Sequence, residues 1–244
     1  MMYRRVVRVP SSTDVADLVA AELLQRLERL LDAQGRADVC LTGGNTANMV
    51  YERLAEHAIE SEIDFRRIHF WWGDERFLPS TDPDRNSLQA VERLARTIPM
   101  HSMHVHMMAS LDGRKDAHES AEEYEAELGD THFDIVLLGI GEDGHCGSMF
   151  PGHASFEPTS RLVIGVEDAP KPPSERITLT RVALNRSSTV WFIATGSAKA
   201  TAVAGALAGD ESLPAATIHG EQSTIWFLDE AAAAQLPPPE ECAF

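Results

Sequence analysis

The sequence predicts an α/β fold, a doubly wound and mostly parallel sheet with helices on both faces. Three observations lead there. Short apolar runs recur along the chain, each too brief for a helix and bounded by glycine or polar turns. Segments with helical periodicity separate them, and strand–helix alternation is what a parallel sheet with crossover helices requires. The 244 residues, 43% hydrophobic and 24% charged, suit one large α/β unit with a full core, so 1–244 is read as a single domain.

The elements follow in order. Residues 4–9 form the first predicted strand, ended by Pro10. Ser11-Ser12-Thr13-Asp14 then offers an N-cap to a long helix with apolar positions at Val15, Leu18, Val19, Leu23, Leu27, Leu30 and Leu31, stopped by Gly35. A buried-type strand at 38–42 breaks at Gly43-Gly44, and a helix spans 46–58. Residues 68–72 are a strand, 73–85 a polar loop and 86–94 a helix. A short strand is expected near 105–108, a helix at 118–128 and a fully apolar strand at 133–138. Strands at 161–166, 177–179, 189–194 and 224–228 complete the alternation, with a small-residue helix at 198–207. Residues 169–174, rich in proline, read as a stiff loop, and 237–244 as a loose tail.

A formal net charge of −17 argues against nucleic-acid and anionic-membrane partners, which need a basic face. The three cysteines are widely spaced and odd in number, which fits a reducing cytosol better than a disulfide framework. Neither a signal peptide nor an eighteen-residue apolar run is visible, so a cytoplasmic location is expected.

In open α/β sheets ligands bind beyond the carboxyl ends of the strands, and four loops there carry unusual residues. Gly43, Gly44, Asn45 and Thr46 lead from a strand into a helix, where free N–H groups can receive a phosphate. Gly73-Asp74-Glu75-Arg76 sets acidic and basic side chains at a strand end, and Asp82-Pro-Asp-Arg-Asn86-Ser87 beyond it reads as a turn and helix cap. Gly139-Ile-Gly141-Glu-Asp143-Gly144 has the spacing of a dinucleotide fingerprint. Its two carboxylates would face a pyrophosphate, however, and Pro151 arrives before a long helix could form. What remains is a glycine-rich loop presenting Asp143 and His145, a histidine able to move protons near neutrality beside a carboxylate that can orient it. Lys199, one of three lysines, follows a glycine turn at a helix start, where a cation is unfavourable unless it shares an anion. His101, His104 and His106 are read as structural or surface residues, and Cys146 as packing. No metal and no cofactor is expected.

The segment running from Asp134 through Gly139-Ile-Gly141-Glu-Asp143-Gly144-His145 to Ser148-Met-Phe-Pro151 is the most specific part of the chain. With it stand Gly73-Asp-Glu-Arg76, Arg176-Ile-Thr-Leu-Thr180, Gly196-Ser-Ala-Lys199, Leu213-Pro-Ala215 and Trp226-Phe-Leu-Asp229. In this order, across roughly residues 42–231, they resemble the 6-phosphogluconolactonase family within the glucosamine-6-phosphate isomerase/deaminase group. The Asp-Gly-His element is common to both branches. The continuation Ser148-Met-Phe-Pro151 is similar to the lactonase form, whereas a deaminase would show Phe-Asn-Glu-Pro with an added carboxylate. Two departures stand out: Thr42-Gly-Gly-Asn-Thr-Ala47 replaces the usual Ser-Gly-Gly-Ser-Thr-Pro, and Cys146-Gly147 replaces Thr-Ala.

The resemblance implies a NagB/RpiA-like fold and hydrolysis of 6-phosphoglucono-δ-lactone to 6-phosphogluconate. His145 would be the base, and Asp143 or Asp74 would orient it. The phosphate would lie on Gly43, Gly44, Asn45 and Thr46 with Lys199 and Arg76, the latter alternatively polarising the carbonyl, and Arg176 is a third basic candidate. The implied partner is a small phosphorylated sugar lactone, handled by a monomer or a homodimer. The rival readings are an amino-sugar-phosphate deaminase or isomerase and a non-catalytic sugar-phosphate-binding module.

Overall fold

The computed structural model describes residues 3–238. Strand β1 (Tyr3–Val9) stops at Pro10, and Ser11 caps α1 (Ser12–Gln34) in a reciprocal capping box with Asp14. Gly35 ends this helix at φ 76°, a left-handed conformation that glycine adopts without strain. Then come β2 (Ala37–Leu41), α2 (Asn45–Ala58), β3 (Ile68–Trp72), β4 (Asp74–Arg76), α3 (Asn86–Leu94), β5 (Val105–His106) and α4 (Ala117–Leu128). The second half holds β6 (Ile135–Leu138), β7 (Val163–Val166), β8 (Arg176–Leu179), α5 (Arg181–Leu184), β9 (Thr189–Ala194), α6 (Ala200–Ala208) and β10 (Ser223–Asp229). No described helix is long and apolar enough to cross a membrane.

Seven strands form one parallel sheet in the order β1-β10-β9-β6-β2-β3-β5. Because successive strand side chains point to opposite faces, each strand feeds two cores. Val39, Leu41, Phe70 and Trp72 pack with residues of α1, α2 and α3. Their neighbours Cys40 and Trp71 pack on the other face, with Val136, Leu138 and residues of α4, α5 and α6. Both faces are thus covered, as a parallel sheet demands.

The predicted parallel sheet is present, but a second sheet was not anticipated. Strands β4, β8 and β7 form a separate antiparallel sheet. Residues 161–166 and 177–179 were read as part of one alternation, yet only a loop lies between them. A parallel pairing would need a crossover long enough for a helix, so they close as an antiparallel pair. β4 in turn lies inside the segment read as a polar loop. Gly73 joins the sheets: its N–H donates to Leu41 O at 2.9 Å, and its carbonyl accepts from Leu179 N at 2.8 Å.

The expected tail 237–244 falls mostly outside the described residues, as does Cys242. Within them, the Pro237 carbonyl accepts from Arg8 Nη2 at 2.6 Å. His101, His104 and His106 lie near the sheet edge, where His104 and His106 stack with His69 and Trp71 at ring separations of 3.9 and 3.7 Å.

Candidate active site

Strands β9, β6, β2 and β3 are parallel neighbours, so the four loops that follow them meet at the carboxyl end of the sheet. They enclose a cavity of about 480 Å³. The loop after β2 is set by Tyr51 on α2, whose buried hydroxyl accepts from Thr42 N at 3.0 Å and donates to Thr42 O at 2.6 Å. Gly44, at φ 104°, is the N-cap of α2, and no side chain caps the helix. The first-turn amides of Asn45, Thr46 and Ala47 therefore belong to residues lining the cavity, at the positive end of a fourteen-residue helix. Such an end receives anions. A Cβ on Gly43 would stand 1.9 Å from Asn86 Oδ1, which excludes any larger residue there.

The loop after β9 closes against this one. Thr46 Oγ1 and Thr195 Oγ1 are 2.8 Å apart, and Gly196 N donates to the Asp229 carboxylate at the end of β10. Lys199 follows in a short 3-10 turn, half-buried on the cavity wall. Burial lowers its pKa, with Glu142 opposing.

The loop after β6 carries the proton chemistry. His145 is largely buried, and its Nδ1 is 2.5 Å from Asp143 Oδ1. A carboxylate at Nδ1 selects the tautomer protonated there, leaving the Nε2 lone pair free. A Cβ on Gly141 would lie 1.9 Å from His145 Nδ1, so the ring occupies space only a glycine leaves. Burial lowers the His145 pKa below its ordinary 6.5, while Asp143 and Asp74 pull it up and Lys171 pushes it further down. Burial alone would raise the Asp143 carboxyl; the bond to His145 and the nearby Lys171 outweigh it and bring it to about 2. The Cys146 thiol is buried and its pKa is pushed well up, which leaves it unreactive.

The antiparallel sheet supplies the opposite wall. Asp74 is buried and accepts from Ser148 Oγ at 2.8 Å, making no bond to His145. Arg76 Nη1 donates to Asp84 O at 2.7 Å, while its buried Nε has no partner among the described residues. Glu75, fully buried, caps α3 from another element: Asn86 N and Ser87 N donate to it at 2.7 and 2.9 Å, with Arg85 at 3.4 Å. Of the turn and cap expected at 82–87, the turn is present, with Asp84 N donating to Asp82 Oδ1 at 2.9 Å, but no side chain at the N-cap position Arg85 caps the helix. This clamp presses Asn86 against Gly43, and Asn86 Nδ2 donates to Asp74 O at 3.0 Å. Arg176 donates Nε to Pro173 O at 3.1 Å and Nη2 to Lys171 O at 2.9 Å and Pro172 O at 3.1 Å.

Every catalytic or binding candidate taken from the sequence is at or behind this cavity. Gly43, Gly44, Asn45, Thr46, Asp74, Arg76, His145, Arg176 and Lys199 line it, and Asp143 stands behind His145. Of the two carboxylates considered for orienting His145, only Asp143 touches it. Lys171 and Asn86 also line the cavity, and sequence reasoning missed both. Lysine scarcity was a usable signal for Lys171; Asn86 looked like an ordinary cap.

The model of the glucosamine-6-phosphate isomerase/6-phosphogluconolactonase family matches residues 10–226. A 6-phosphogluconolactonase of Streptomyces coelicolor is 42% identical, the match covering 91% of each chain. Among solved structures, a 6-phosphogluconolactonase from Thermotoga maritima superposes with a TM-score of 0.80 at 30% identity, over 93% of this chain and 99% of that one. A monomeric glucosamine-6-phosphate deaminase superposes with a TM-score of 0.79 at 23% identity, over 94% and 99%, so it shares the fold alone. With the matched region reaching from the first helix to the last strand, the chain belongs to the glucosamine-6-phosphate isomerase/6-phosphogluconolactonase family.

Proposed function

We propose that this protein hydrolyses 6-phosphoglucono-δ-lactone to 6-phosphogluconate, with His145 activating the attacking water. The observation that carries the reading is the His145–Asp143 pair in a cavity shared with the uncapped N-terminus of α2. The relatives' names supply the lactone. A deaminase reading would need a further carboxylate after the histidine. Ser148, Met149 and Phe150 are buried there and provide none.

In the proposed reaction His145 Nε2 takes a proton from water as its oxygen attacks the lactone carbonyl carbon. The tetrahedral intermediate collapses with cleavage of the bond to the ring oxygen, and the imidazolium returns its proton to that oxygen. The product acid then ionises. Asp143 holds the imidazole and offsets its transient charge. Arg76, on the cavity wall, is assigned the developing oxyanion, and the α2 amides with Lys199 the phosphate. Loops from both sheets converge on this one cavity, so we take the chain as a single sugar-phosphate-binding unit. The free, buried thiols Cys40 and Cys146 suit a reducing compartment such as the cytosol.

The test is acid release from fresh lactone, measured above the spontaneous rate. His145→Ala should lose about 10²–10⁴-fold in kcat, the usual worth of positioned acid–base help. Undiminished turnover by this variant would remove His145 from its role. Since burial lowers the His145 pKa, kcat/KM should hold through neutrality and fall only below pH 6.5.

A further inference from the structure

Lys171 lines the cavity and has no place in that mechanism. Lys171 Nζ lies 3.3 Å from Asp143 Oδ1 and 3.5 Å from His145 Nδ1. The same carboxylate oxygen is the partner of His145 Nδ1, so an ammonium and an imidazole N–H converge on one acceptor. Two donors facing each other at that separation repel, and only the shared carboxylate reconciles them.

Lys171 does not reach this position by chance rotation of a mobile loop. Its segment is closed by Ala169 N donating to Ser174 O at 3.0 Å, and the Arg176 guanidinium gathers the carbonyls of residues 171, 172 and 173. Arg176 in turn stands 5.6 Å over the Phe150 ring, whose centroid is 4.8 Å from that of His145. The backbone of Lys171 is therefore referenced to the His145 ring through Arg176 and Phe150.

With His145 neutral, Asp143 and Lys171 cancel. With His145 protonated, the trio carries a net positive charge in a partly buried place, and Asp143 can no longer neutralise both cations. We propose that Lys171 is a positioning residue that, by sharing Asp143 Oδ1 with His145, keeps His145 in its unprotonated, water-activating form. The inference deepens the hydrolase reading and rests on it. The other charged groups around His145 are Asp74, whose charge favours protonation, and Arg76, Arg176 and Lys199 across the cavity. Lys171 is the cation that touches the dyad, and its charge opposes the two aspartates.

The experiment compares wild type with Lys171→Met and Lys171→Arg. The His145 imidazole is titrated by NMR in the free protein, its signal assigned by its absence in His145→Gln. The pH profile of kcat/KM is measured in parallel. Lys171→Met should raise both midpoints by at least about half a pH unit, roughly threefold in proton affinity, and Lys171→Arg should restore them. An unchanged or lower midpoint in Lys171→Met overturns the proposal, as does an arginine variant that behaves like methionine. A rise in KM at every pH with a fixed midpoint also overturns it and makes Lys171 a substrate ligand. Because the NMR midpoint needs no turnover, it separates this proposal from the base assignment, which fails only if His145→Gln still turns over.

Discussion

The cavity is built from two sheets whose contributions differ in kind. The parallel sheet delivers the main chain of the anion end, namely the uncapped first turn of α2, the glycines before it and the β9 loop tied to it through Thr46 and Thr195, and its β6 and β9 loops add His145, Asp143 and Lys199. The antiparallel sheet and its loops deliver charged side chains, each held by partners of its own. Asp74 has Ser148, Glu75 has the amides of α3, and Arg176 has three carbonyls. A backbone site is fixed once the fold is fixed, and it tolerates exchange of side chains while refusing a Cβ. A side-chain site stays ordered only through a surrounding layer of hydrogen bonds, and loss of one distant partner disorders it.

Three substitutions test this contrast and a fourth a position outside the cavity, taken from the largest expected effect downward. Glu75→Ala leaves Arg85 buried without its carboxylate and uncaps α3, which should cost about 3–5 kcal/mol in urea unfolding. Stability equal to wild type would show that the clamp between β4 and α3 is dispensable. Gly141→Ala puts a methyl where the His145 ring lies; kcat should drop on the order of 10²-fold with the fold intact by circular dichroism. Normal kcat in this variant would mean the ring position is not needed. On the loop after β9, Lys199→Ala should raise KM about tenfold and leave kcat within about twofold. A loss confined to kcat would move Lys199 from the binding half to the reacting half.

The smallest effect lies in the parallel sheet beside its edge strand β5, outside the cavity lining. Burial and the Arg36 charge lower the His69 pKa from 6.5 to about 4. As pH falls through 6.5 the unfolded chain takes this proton first, so stability present above 6.5 is progressively lost toward pH 4. His69→Gln should flatten the fall in Tm across that window by a few degrees at most. An unaltered slope would assign acid lability elsewhere.

The parallel half was readable in advance because its physics is local. β3 and β9 coincide with their expected ranges, and α1 begins at its serine cap and stops at Gly35, since apolar runs, cap and glycine stop lie within each segment itself. The antiparallel half was not. Asp74, Glu75 and Arg76 form a strand of three polar residues, and only the pairing with β8, a hundred residues away, makes it one. The segment 82–87 carries the local signature of a turn and a cap, yet the cap is Glu75, whose burial no periodicity reveals. His145 announced itself through its glycines. Lys171 did not, because a lysine among prolines looks like an exposed spacer until Arg176 folds the segment back on the dyad.

Gly73 carries a consequence for insertions and deletions. Its amide belongs to one sheet and its carbonyl to the other, so it sets the frame in which β4 is read. Side chains alternate in direction along a strand, and one residue added or removed between Trp72 and Asp74 would turn that strand over. Glu75 would then face the cavity, and Asp74 would face the helix that Glu75 now caps. The length of this junction is therefore under tighter constraint than its composition.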